Sequence, residues 1–498
     1  MATPSSRPLP LTYDPLVDLS TTGFYWGAPT KVINWSTSDG FAGEFFTDPE
    51  SAVSDISLVF DYLSQYIDVQ FNFVGYWSDP EVAYLAGSDI NITFSSVGEL
   101  FDNSNVQAFG LFPDASYNQF YQGAPGDIFI NLDSPANSYV SYKPGTSGGF
   151  LLLHEIGHAL GLKHTHDDGG TGRPTAQELG IPQFDVDWFS IMSYRDDYPF
   201  EQLFWEPTSA MALDVVGLQY LYGANNQANS GDDFYTLSIT NTYFTIWDSS
   251  GWDAVSASGK SGWYIQLPES WDVNWDSADI GYAGLISEPT PKTFYWLMGD
   301  IEDALGSDGS DEIYGNSSAN IILGYAGNDL IYGYGGNDYL IGDSGNDAIS
   351  GGAGKDLLKG NYGADALSGG NGRDKLKGGN GNDYLEGNKG KDRLVGGKSD
   401  DSLNGGIGKD KLIGGSGDDL FIFAEGDGDD SIIDFIAGAN SNDIIQLLSI
   451  NGFNDFSDIQ KAASQVNNNT IIDMNGDDQI TLIGINPGDL HADDFLFT

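Results

Sequence analysis

The stretch HEIGHALGLKH, residues 154–164, decides how the first half of the chain folds. On a helix, residues four apart lie roughly 40° apart around the axis and about 6 Å apart along it, so His154 and His158 can bind one ion from one face. His164 lies six residues beyond His158 and would point away if the helix continued. The chain must therefore turn at Gly161, because glycine adopts the left-handed backbone that ends helices.

Three histidines in this pattern favour zinc as the ion. Three neutral imidazoles leave a fourth position open for water, which is typical of catalytic rather than structural zinc sites. Non-haem iron, the main alternative, usually takes two histidines and a carboxylate. Glu155 adjoins the first ligand, and we expect it to act as a general base toward that water. His166 fits no position of the motif and is expected to have a supporting or surface role.

Composition and charge limit the functions that the chain can have. Its 498 residues are enough for two or three domains, and Lys+Arg is 20 against Asp+Glu 72, a formal net charge of −52. A surface this acidic disfavours nucleic acid and anionic membranes and favours calcium. The chain has no cysteine, which excludes disulfides and a cysteine-based latency switch. Hydrophobic residues at 40% and aromatic residues at 13% indicate a folded protein.

An N-terminal signal peptide and a membrane-spanning segment are not expected. Residues 1–8 carry no apolar signal-peptide core, and no run of 18 consecutive apolar residues occurs. An integral membrane segment is therefore not predicted.

The first half of the chain predicts an α+β domain over residues 26–225, preceded by an arm or pro-segment at residues 1–25. Apolar residues at helical spacing predict one helix over 50–68, and similar patterns predict others from 149 and over 210–221. Segments rich in β-branched and aromatic residues predict the strands, and the one at 106–113, ended by proline, is the candidate edge strand. The predicted strands are 31–35, 69–74, 89–95, 106–113 and 127–132.

Residues 306–423 repeat with a strict period of nine. Each repeat has a glycine five residues before its aspartate, and an Ile, Leu or Phe two residues after it. This is the pattern of a solenoid built from turns and short strands, in which the apolar residue faces the interior. Carbonyls of the glycine turns and the aspartates offer oxygen-only sites suited to calcium. The predicted calcium ligands are Asp329, Asp338, Asp347, Asp356, Asp365, Asp374, Asp383, Asp392, Asp401, Asp410 and Asp419.

Folding of this array should depend on calcium, because rows of aspartates repel each other and the small interior residues cannot offset the entropy of so much glycine. A glycine-rich linker that never folds would not keep an apolar residue in register over thirteen repeats. Asn320 with Ser318, and Ser399, depart from the consensus, so ion sites at those turns are doubtful. Eleven of the 20 basic residues lie between Lys355 and Lys411, where they should reduce repulsion between turns.

Two flanking regions complete the domain organisation. Residues 226–305 are rich in tryptophan and lack a helical period, which predicts a β-rich connecting region. Residues 424–498 predict strands at 431–435, 443–448, 470–474 and 479–483, which would form the cap that a solenoid needs.

The zinc motif, the segment Ser190-Ile191-Met192-Ser193-Tyr194, the closing segment at 219–225 and the nonapeptides together resemble the serralysin family of secreted bacterial metalloproteases, in the metzincin clan. The resemblance implies a metzincin catalytic domain joined to a right-handed parallel β-roll of RTX repeats, with Met192 in a structural turn and Tyr194 near the zinc. It implies a zinc endopeptidase acting on protein or peptide substrates along the edge strand. It also implies a monomeric, extracellular protein, exported by type I machinery that recognises a C-terminal signal.

Two alternatives remain open. A calcium-dependent surface or matrix protein could keep a latent protease-like domain that only binds, although decayed enzymes usually lose a ligand or the base first. A pore-forming toxin can share the same repeats, but this chain lacks a membrane-inserting apolar segment.

Overall fold

The structure is a computed structural model, and it describes residues 2–5, 20–22, 24–27, 31–39, 49–95, 107–119, 121–131, 141–165, 175, 177, 190–193, 208–240, 243–269, 280–286, 293–438, 443–474 and 478–498. These residues form two hydrophobic cores. The first core lies among helices and a five-stranded sheet, and the second runs along a stack of short strands.

The first core is bounded by four helices and a mostly parallel sheet. The helices are α1 (Pro49–Tyr66), α2 (Pro80–Leu85), α3 (Ser147–Leu160) and α4 (Ala212–Tyr222). The strands of this part are β1 (Thr3–Pro4), β2 (Trp26–Gly27), β3 (Val32–Asp39), β4 (Gln70–Trp77), β5 (Ile90–Ser95), β6 (Ala108–Gly110) and β7 (Ile128–Asn131). The sheet order is β4-β3-β5-β7-β6, and β6 is antiparallel to β7 at the edge. The predicted edge strand is confirmed at 108–110, within the predicted range 106–113.

Helix α3 carries the first two histidines and packs against α1, β6 and β7. It begins two residues earlier than predicted, because Thr146 caps it by accepting a hydrogen bond from Gly149 N at 3.1 Å. Every residue from Leu152 to Leu160 is buried, so the helix crosses the core rather than presenting one face to it. It ends at Gly161, whose φ of 102° is left-handed.

The second half of the chain is a parallel β-roll with two sheets. The first roll sheet contains β8 (Phe234–Leu237), β10 (Ala254–Ala257), β14 (Asp303–Leu305), β16 (Ile321–Ala326), β19 (Tyr339–Ser344), β21 (Leu357–Tyr362), β23 (Lys375–Asn380), β25 (Arg393–Lys398), β28 (Lys411–Ser416), β30 (Asp429–Ile432), β34 (Gln479–Leu482), β33 (Asn469–Asp473) and β32 (Ala463–Val466), in spatial order. The second roll sheet lies on the other side of the roll.

The second roll sheet contains β9 (Tyr243–Asp248), β13 (Phe294–Gly299), β12 (Ile280–Leu285), β11 (Trp263–Gln266), β15 (Glu312–Tyr314), β17 (Leu330–Tyr332), β20 (Ala348–Gly354), β22 (Ala366–Gly372), β24 (Tyr384–Gly390), β26 (Ser402–Asn404), β29 (Leu420–Ala424), β31 (Ile444–Leu448) and β35 (Phe495–Phe497), again in spatial order. Two short strands lie off this path, β18 (Gly335–Gly336) beside β20 and β27 (Ile407–Gly408) beside β24.

Each turn of the roll takes two nonapeptides, so residues 18 apart lie in register on neighbouring strands, as Ile331 does with Ile349. The apolar residue of each of the thirteen repeats, from Ile313 to Phe421, is at most 2% exposed. These side chains alternate between the two sheets and fill the interior. The predicted solenoid with inward apolar residues is therefore confirmed.

The connecting region belongs to both cores. Phe294, Trp296 and Met298 of β13 pack in the first core, whereas Tyr295 and Leu297 of the same strand pack in the second. At the other end, the cap contains the predicted strands together with helix α5 (Phe456–Ala462), which the sequence pattern did not indicate. Among the helices that the structure describes, none combines the length and apolar character needed to cross a bilayer.

Candidate metal centres

The three histidines of the motif converge on one point. Nε2 of His164 lies 3.2 Å from Nε2 of His154 and 3.0 Å from Nε2 of His158. The first two rings come from α3, and Gly161 turns the chain so that His164 faces them. A Cβ at residue 161 would lie 2.1 Å from the carbonyl oxygen of Phe24, so any other residue would displace this turn.

Backbone carbonyls orient two of the rings. Nδ1 of His154 lies 2.6 Å from Ile191 O, and Nδ1 of His158 lies 3.0 Å from Leu162 O. Because a carbonyl only accepts hydrogen bonds, each Nδ1 carries the hydrogen and each Nε2 presents its lone pair to the centre. Burial, together with the neighbouring His154 and His164, lowers the pKa of His158 well below its usual range and keeps the ring neutral.

This donor set fits a zinc ion. Ligand nitrogens around a tetrahedral zinc with bonds of about 2.05 Å lie about 3.3 Å apart, close to the Nε2 separations of the triad. His154 and His158 both present Nε2 lone pairs toward Nε2 of His164, so an ion at this point would be bound by all three rings.

Glu155 is buried beside the first ligand. It is 4% exposed, and in the described part of the chain its Oε2 has no hydrogen-bond partner. Burial raises the pKa of Glu155 to about 8, partly offset by a hydrogen bond from the backbone of Gly110 in β6. A carboxyl with this pKa can accept and release a proton near neutral pH.

Met192 and Asp214 support the triad through contacts with α3 and with the segment 190–191. Met192 is 1% exposed and packs against Gly157 of α3, where a Cβ would lie 2.8 Å from its Sδ. The buried carboxylate of Asp214, in α4, accepts hydrogen bonds from Ile191 N at 2.9 Å and Ser190 Oγ at 2.7 Å. Ile191, the residue whose carbonyl holds His154, is thus fixed by an aspartate that the sequence pattern did not indicate.

The chain before β2 also holds the triad. Thr22 donates from both its backbone N and its Oγ1 to Gly161 O, at 2.8 and 2.9 Å. Trp26 Nε1 donates to Ala159 O at 2.9 Å, and Lys163 N donates to Ser20 O at 3.1 Å. Residues 20–22 and 24–26 therefore pack around the end of α3, whereas the domain boundary predicted from the sequence lies at residue 26.

The aspartates of the repeats form two ladders along the roll. Ladder A, on the second roll sheet, runs through Asp329, Asp347, Asp365, Asp383, Asp401 and Asp419, and ladder B, on the first roll sheet, through Asp338, Asp356, Asp374, Asp392 and Asp410. Oδ1 of each accepts a hydrogen bond of 2.7–3.0 Å from the backbone N of the ladder residue one turn earlier.

The second oxygen of these carboxylates, Oδ2, mostly has no hydrogen-bond partner in the described part of the chain. Among the described residues, Oδ2 is buried without a hydrogen-bond partner in ten of the eleven predicted calcium ligands, all except Asp419. Burial is the main cause that raises the pKa of these groups, to about 7 for Asp338 and about 8 for Asp401. Repeated orphaned carboxylate oxygens fit a hard cation with oxygen ligands, such as calcium.

The first two repeats differ from the ladders. Asp311 Oδ2 accepts from Ser307 N at 2.6 Å, and Asn320 donates to the carbonyl oxygen of Glu302 at 2.6 Å. Their polar atoms are satisfied by protein groups rather than left for an ion. At the far end, Asp430 and Asp443 of the cap take the next ladder positions and accept from the backbone N of Asp410 and Asp419. Their spacing of 20 and 24 residues breaks the period of nine, which is why the repeat pattern missed them.

A third group of carboxylates lies where the roll begins. Asp233, Asp248 and Asp253 bring one oxygen each within 4.8 Å of one another, and Oδ2 of Asp253 is buried without a partner in the described chain. Burial raises the pKa of Asp248 to about 7. This oxygen cluster also suits a hard cation. The sequence prediction assigned these residues only to the β-rich connecting region 226–305 and did not single out the three aspartates.

Tyr194, His166 and Val106 lie outside the described residues, so their predicted roles are not placed by the structure.

The fold and these sites define a protein with a metzincin-like α+β part followed by a calcium-binding β-roll. A family model for the RTX calcium-binding nonapeptide repeat matches in four copies, at residues 305–340, 323–358, 359–394 and 386–421. The chain is similar to the serralysin-type metalloproteases and carries RTX repeats.

Three curated relatives illustrate the similarity. Metalloprotease AprA of Pseudomonas entomophila is 36% identical over 207 residues, which cover 37% of this chain and 40% of the relative. Serralysin G of Dickeya chrysanthemi is 32% identical over 47% of each chain. Serralysin of Proteus mirabilis is 31% identical over 48% of this chain and 49% of its own. The chain thus spans about half the length of the relatives it matches.

Proposed function

We propose that the protein is a secreted zinc endopeptidase that hydrolyses peptide bonds of extracellular proteins. The observation that carries the proposal is the convergence of three histidines, with Nε2 of His164 within 3.2 Å of both other Nε2 atoms, next to a buried glutamate with an unpartnered oxygen in the described chain. The similarity to metalloproteases supports the same reaction class.

The proposed mechanism assigns the proton transfers to Glu155. When bound, zinc supplies a Lewis acid and lowers the pKa of water at the site. Glu155 takes a proton from the attacking water and later gives it to the leaving amine, for which a pKa raised by burial is suited. Tyr194 is proposed to donate a hydrogen bond to the oxyanion. The edge strand β6 is proposed to pair with the substrate backbone, which would lie beside it as an added strand.

The proposed role of the roll is to fold after export, when calcium becomes abundant. Its orphaned carboxylate oxygens would oppose folding wherever calcium is scarce. We further propose export by type I machinery through a C-terminal signal, and a division into an arm, a catalytic domain, a connecting region, a roll and a cap. The protein is proposed to act as a monomer.

Hydrolysis of casein by protein refolded with calcium and zinc tests the proposed activity. The wild type is compared with Glu155→Gln, which keeps the size of the side chain and the three histidines. We expect the variant to retain zinc, measured by atomic absorption, and to lose about 10²- to 10⁴-fold in kcat. A zinc chelator should abolish the remaining turnover.

Each outcome decides the proposal. Activity that is lost in the variant and in the chelator supports a zinc endopeptidase that uses Glu155. Wild-type protein that is folded and zinc-loaded but does not cleave casein or a peptide library would overturn the assignment as an active protease. A zinc-loaded variant with near wild-type turnover would remove Glu155 from the mechanism.

A further inference from the structure

One face of the roll carries a file of cations. Lys355, Arg373, Lys391 and Lys409 each precede an aspartate of ladder B, at intervals of 18 residues. Lys375, Arg393 and Lys411 each follow such an aspartate, in register on β23, β25 and β28. We call these seven residues the basic stripe. Together with Leu357 and the ladder B residues Asp356, Asp374 and Asp392, they line a groove of about 760 Å³ on the first roll sheet.

The stripe is straight and exposed. All seven side chains are exposed, whereas the aspartates between them are buried, because neighbouring residues of a strand point to opposite faces. Neighbouring strands lie about 4.8 Å apart, and the two outward positions of one strand about 7 Å apart, so the stripe is a two-column array four turns long. The four strands beside it, β21, β23, β25 and β28, contain no Asp or Glu.

Neutralising the aspartates does not explain the stripe. Ladder A has the same buried carboxylates with the same hydrogen bonds, yet the residues before its aspartates include Asn346, Ala364, Asn382 and Asp400. The residues after them include Ala348, Ala366 and Ser402. If cations were needed to offset a ladder, both faces would carry them. In the sequence, cations stand next to the aspartates of ladder B only.

The cations are largely available to a partner. Among the described residues, the ion pairs of the stripe are limited to Lys409 with Asp429. The net charge of −52 does not cancel the stripe, because charges beyond about 8 Å are screened at physiological ionic strength. Within that distance, the seven cations of the stripe outnumber the four ladder B carboxylates beside them, so this face of an acidic protein is locally positive.

We propose that the basic stripe binds a linear acidic polysaccharide that bears carboxylates along its chain. A two-column array accommodates one extended polyanion and leaves the acidic flanks of the roll beyond it. Polar side chains suited to sugar hydroxyls continue at the far ends of the same strands, where Tyr362, Asn380 and Ser416 occupy equivalent positions. The ring of Tyr362 is 61% exposed.

Two other anionic partners fit the face less well. Single-stranded nucleic acid is usually held by aromatic side chains on which bases stack, and the two columns of the stripe contain none. A duplex or an anionic membrane presents a broad surface, which would also meet the acidic residues of a chain with 72 carboxylates.

Binding of fluorescein-labelled carboxymethyl-dextran to the full chain in calcium, followed by anisotropy, tests the proposal. Neutral labelled dextran has the same backbone without carboxylates. The test variant is Lys391→Gln with Arg393→Gln, and the control is Lys260→Gln with Lys461→Gln, which changes the net charge equally at exposed sites outside the stripe. We expect a dissociation constant about tenfold higher for the test variant and unchanged for the control.

Further measurements distinguish a loss of binding from a loss of folding and test whether charge drives the binding. Circular dichroism in calcium reports whether the test variant folds, and Lys391→Arg with Arg393→Lys keeps the charges and should bind as the wild type does. Affinity should fall as salt rises. Equal binding of neutral dextran, or undiminished binding by a folded test variant, would overturn the proposal. Tighter binding of a labelled thymidine 20-mer or of phosphatidylglycerol vesicles would replace the polysaccharide as the partner.

Discussion

The histidine triad and the aspartate ladders present their metal ligands in opposite ways. The triad stands on a helix buried in an apolar core, and each contact that orients it is made by protein groups. The ladders stand on a roll with one buried apolar side chain per nine residues, and each leaves carboxylate oxygens that protein groups do not satisfy.

The difference indicates whether each part of the chain folds before its ion binds or only with it. Around α3, protein groups orient His154 and His158, so we expect this part of the chain to be folded before zinc binds. In the roll, burying a charged oxygen without a partner costs free energy that the small apolar interior cannot offset, so we expect the roll to fold only when calcium binds.

Removing zinc and calcium with EDTA should give the largest difference between the two regions. We expect backbone amides of residues 306–421 to exchange with deuterium within seconds, because the unpartnered carboxylates then repel each other. Amides of α3 should stay protected, because apolar packing holds that helix. Hydrogen exchange with mass spectrometry measures both regions in one sample, and equal loss of protection in the two would contradict the distinction.

Acid should partly replace calcium in the roll. Burial raises the pKa of Asp392 to about 6, of Asp338 to about 7 and of Asp401 to about 8. A pKa raised in the folded state means that folding takes up protons. The folded roll is therefore more stable at low pH, and it loses this stability as pH rises through about 6–8. In chelator, the β-sheet signal in circular dichroism should therefore be larger at pH 5 than at pH 8.

The control for this experiment is the same protein in excess calcium, where the two pH values should give similar signals. A chelated roll that is equally unfolded at both pH values would show that carboxylate repulsion is not what keeps it open.

Sequence patterns predicted the parts of the molecule in which one residue repeats or one motif fixes the spacing. The period of nine gave the roll and ten orphaned aspartates, and the motif gave three histidines that do meet. Contacts between distant segments could not be inferred, since nothing in the sequence links Asp214 to Ile191 or Thr22 to Gly161. Asp430 and Asp443 escaped for a related reason, because insertions in the cap remove the period while the ladder continues.

The substitution Asp214→Asn tests whether the zinc affinity of the triad depends on the residues that hold His154. The amide replaces one acceptor oxygen, so either Ser190 Oγ or both Ile191 N and Met211 N lose their partner, at a cost of about 1–3 kcal/mol for each donor. Because Ile191 O holds His154, we expect zinc to bind about 10- to 100-fold more weakly, measured by competition with a zinc-binding dye.

The matched control is Asp55→Asn, which removes a buried carboxylate that accepts from Ser141 Oγ and Tyr142 N, in the loop before α3. It should lower the melting temperature without changing zinc affinity. Equal zinc affinities for the two variants would reduce Asp214 to a stabilising residue.

The smallest expected effect separates the ladders from the repeat that precedes them. Asp374→Asn keeps Oδ1, which accepts from Asp356 N, and replaces the unpartnered Oδ2, so the calcium concentration at the midpoint of roll folding should rise about two- to threefold. Asp311→Asn replaces an oxygen that Ser307 already satisfies, so the midpoint should hardly change, although the roll loses a hydrogen bond. Calcium titrations followed by circular dichroism compare the two variants. A larger shift for Asp311→Asn would mean that the first repeat binds an ion despite its protein partners, and that orphaned oxygens do not mark the calcium sites.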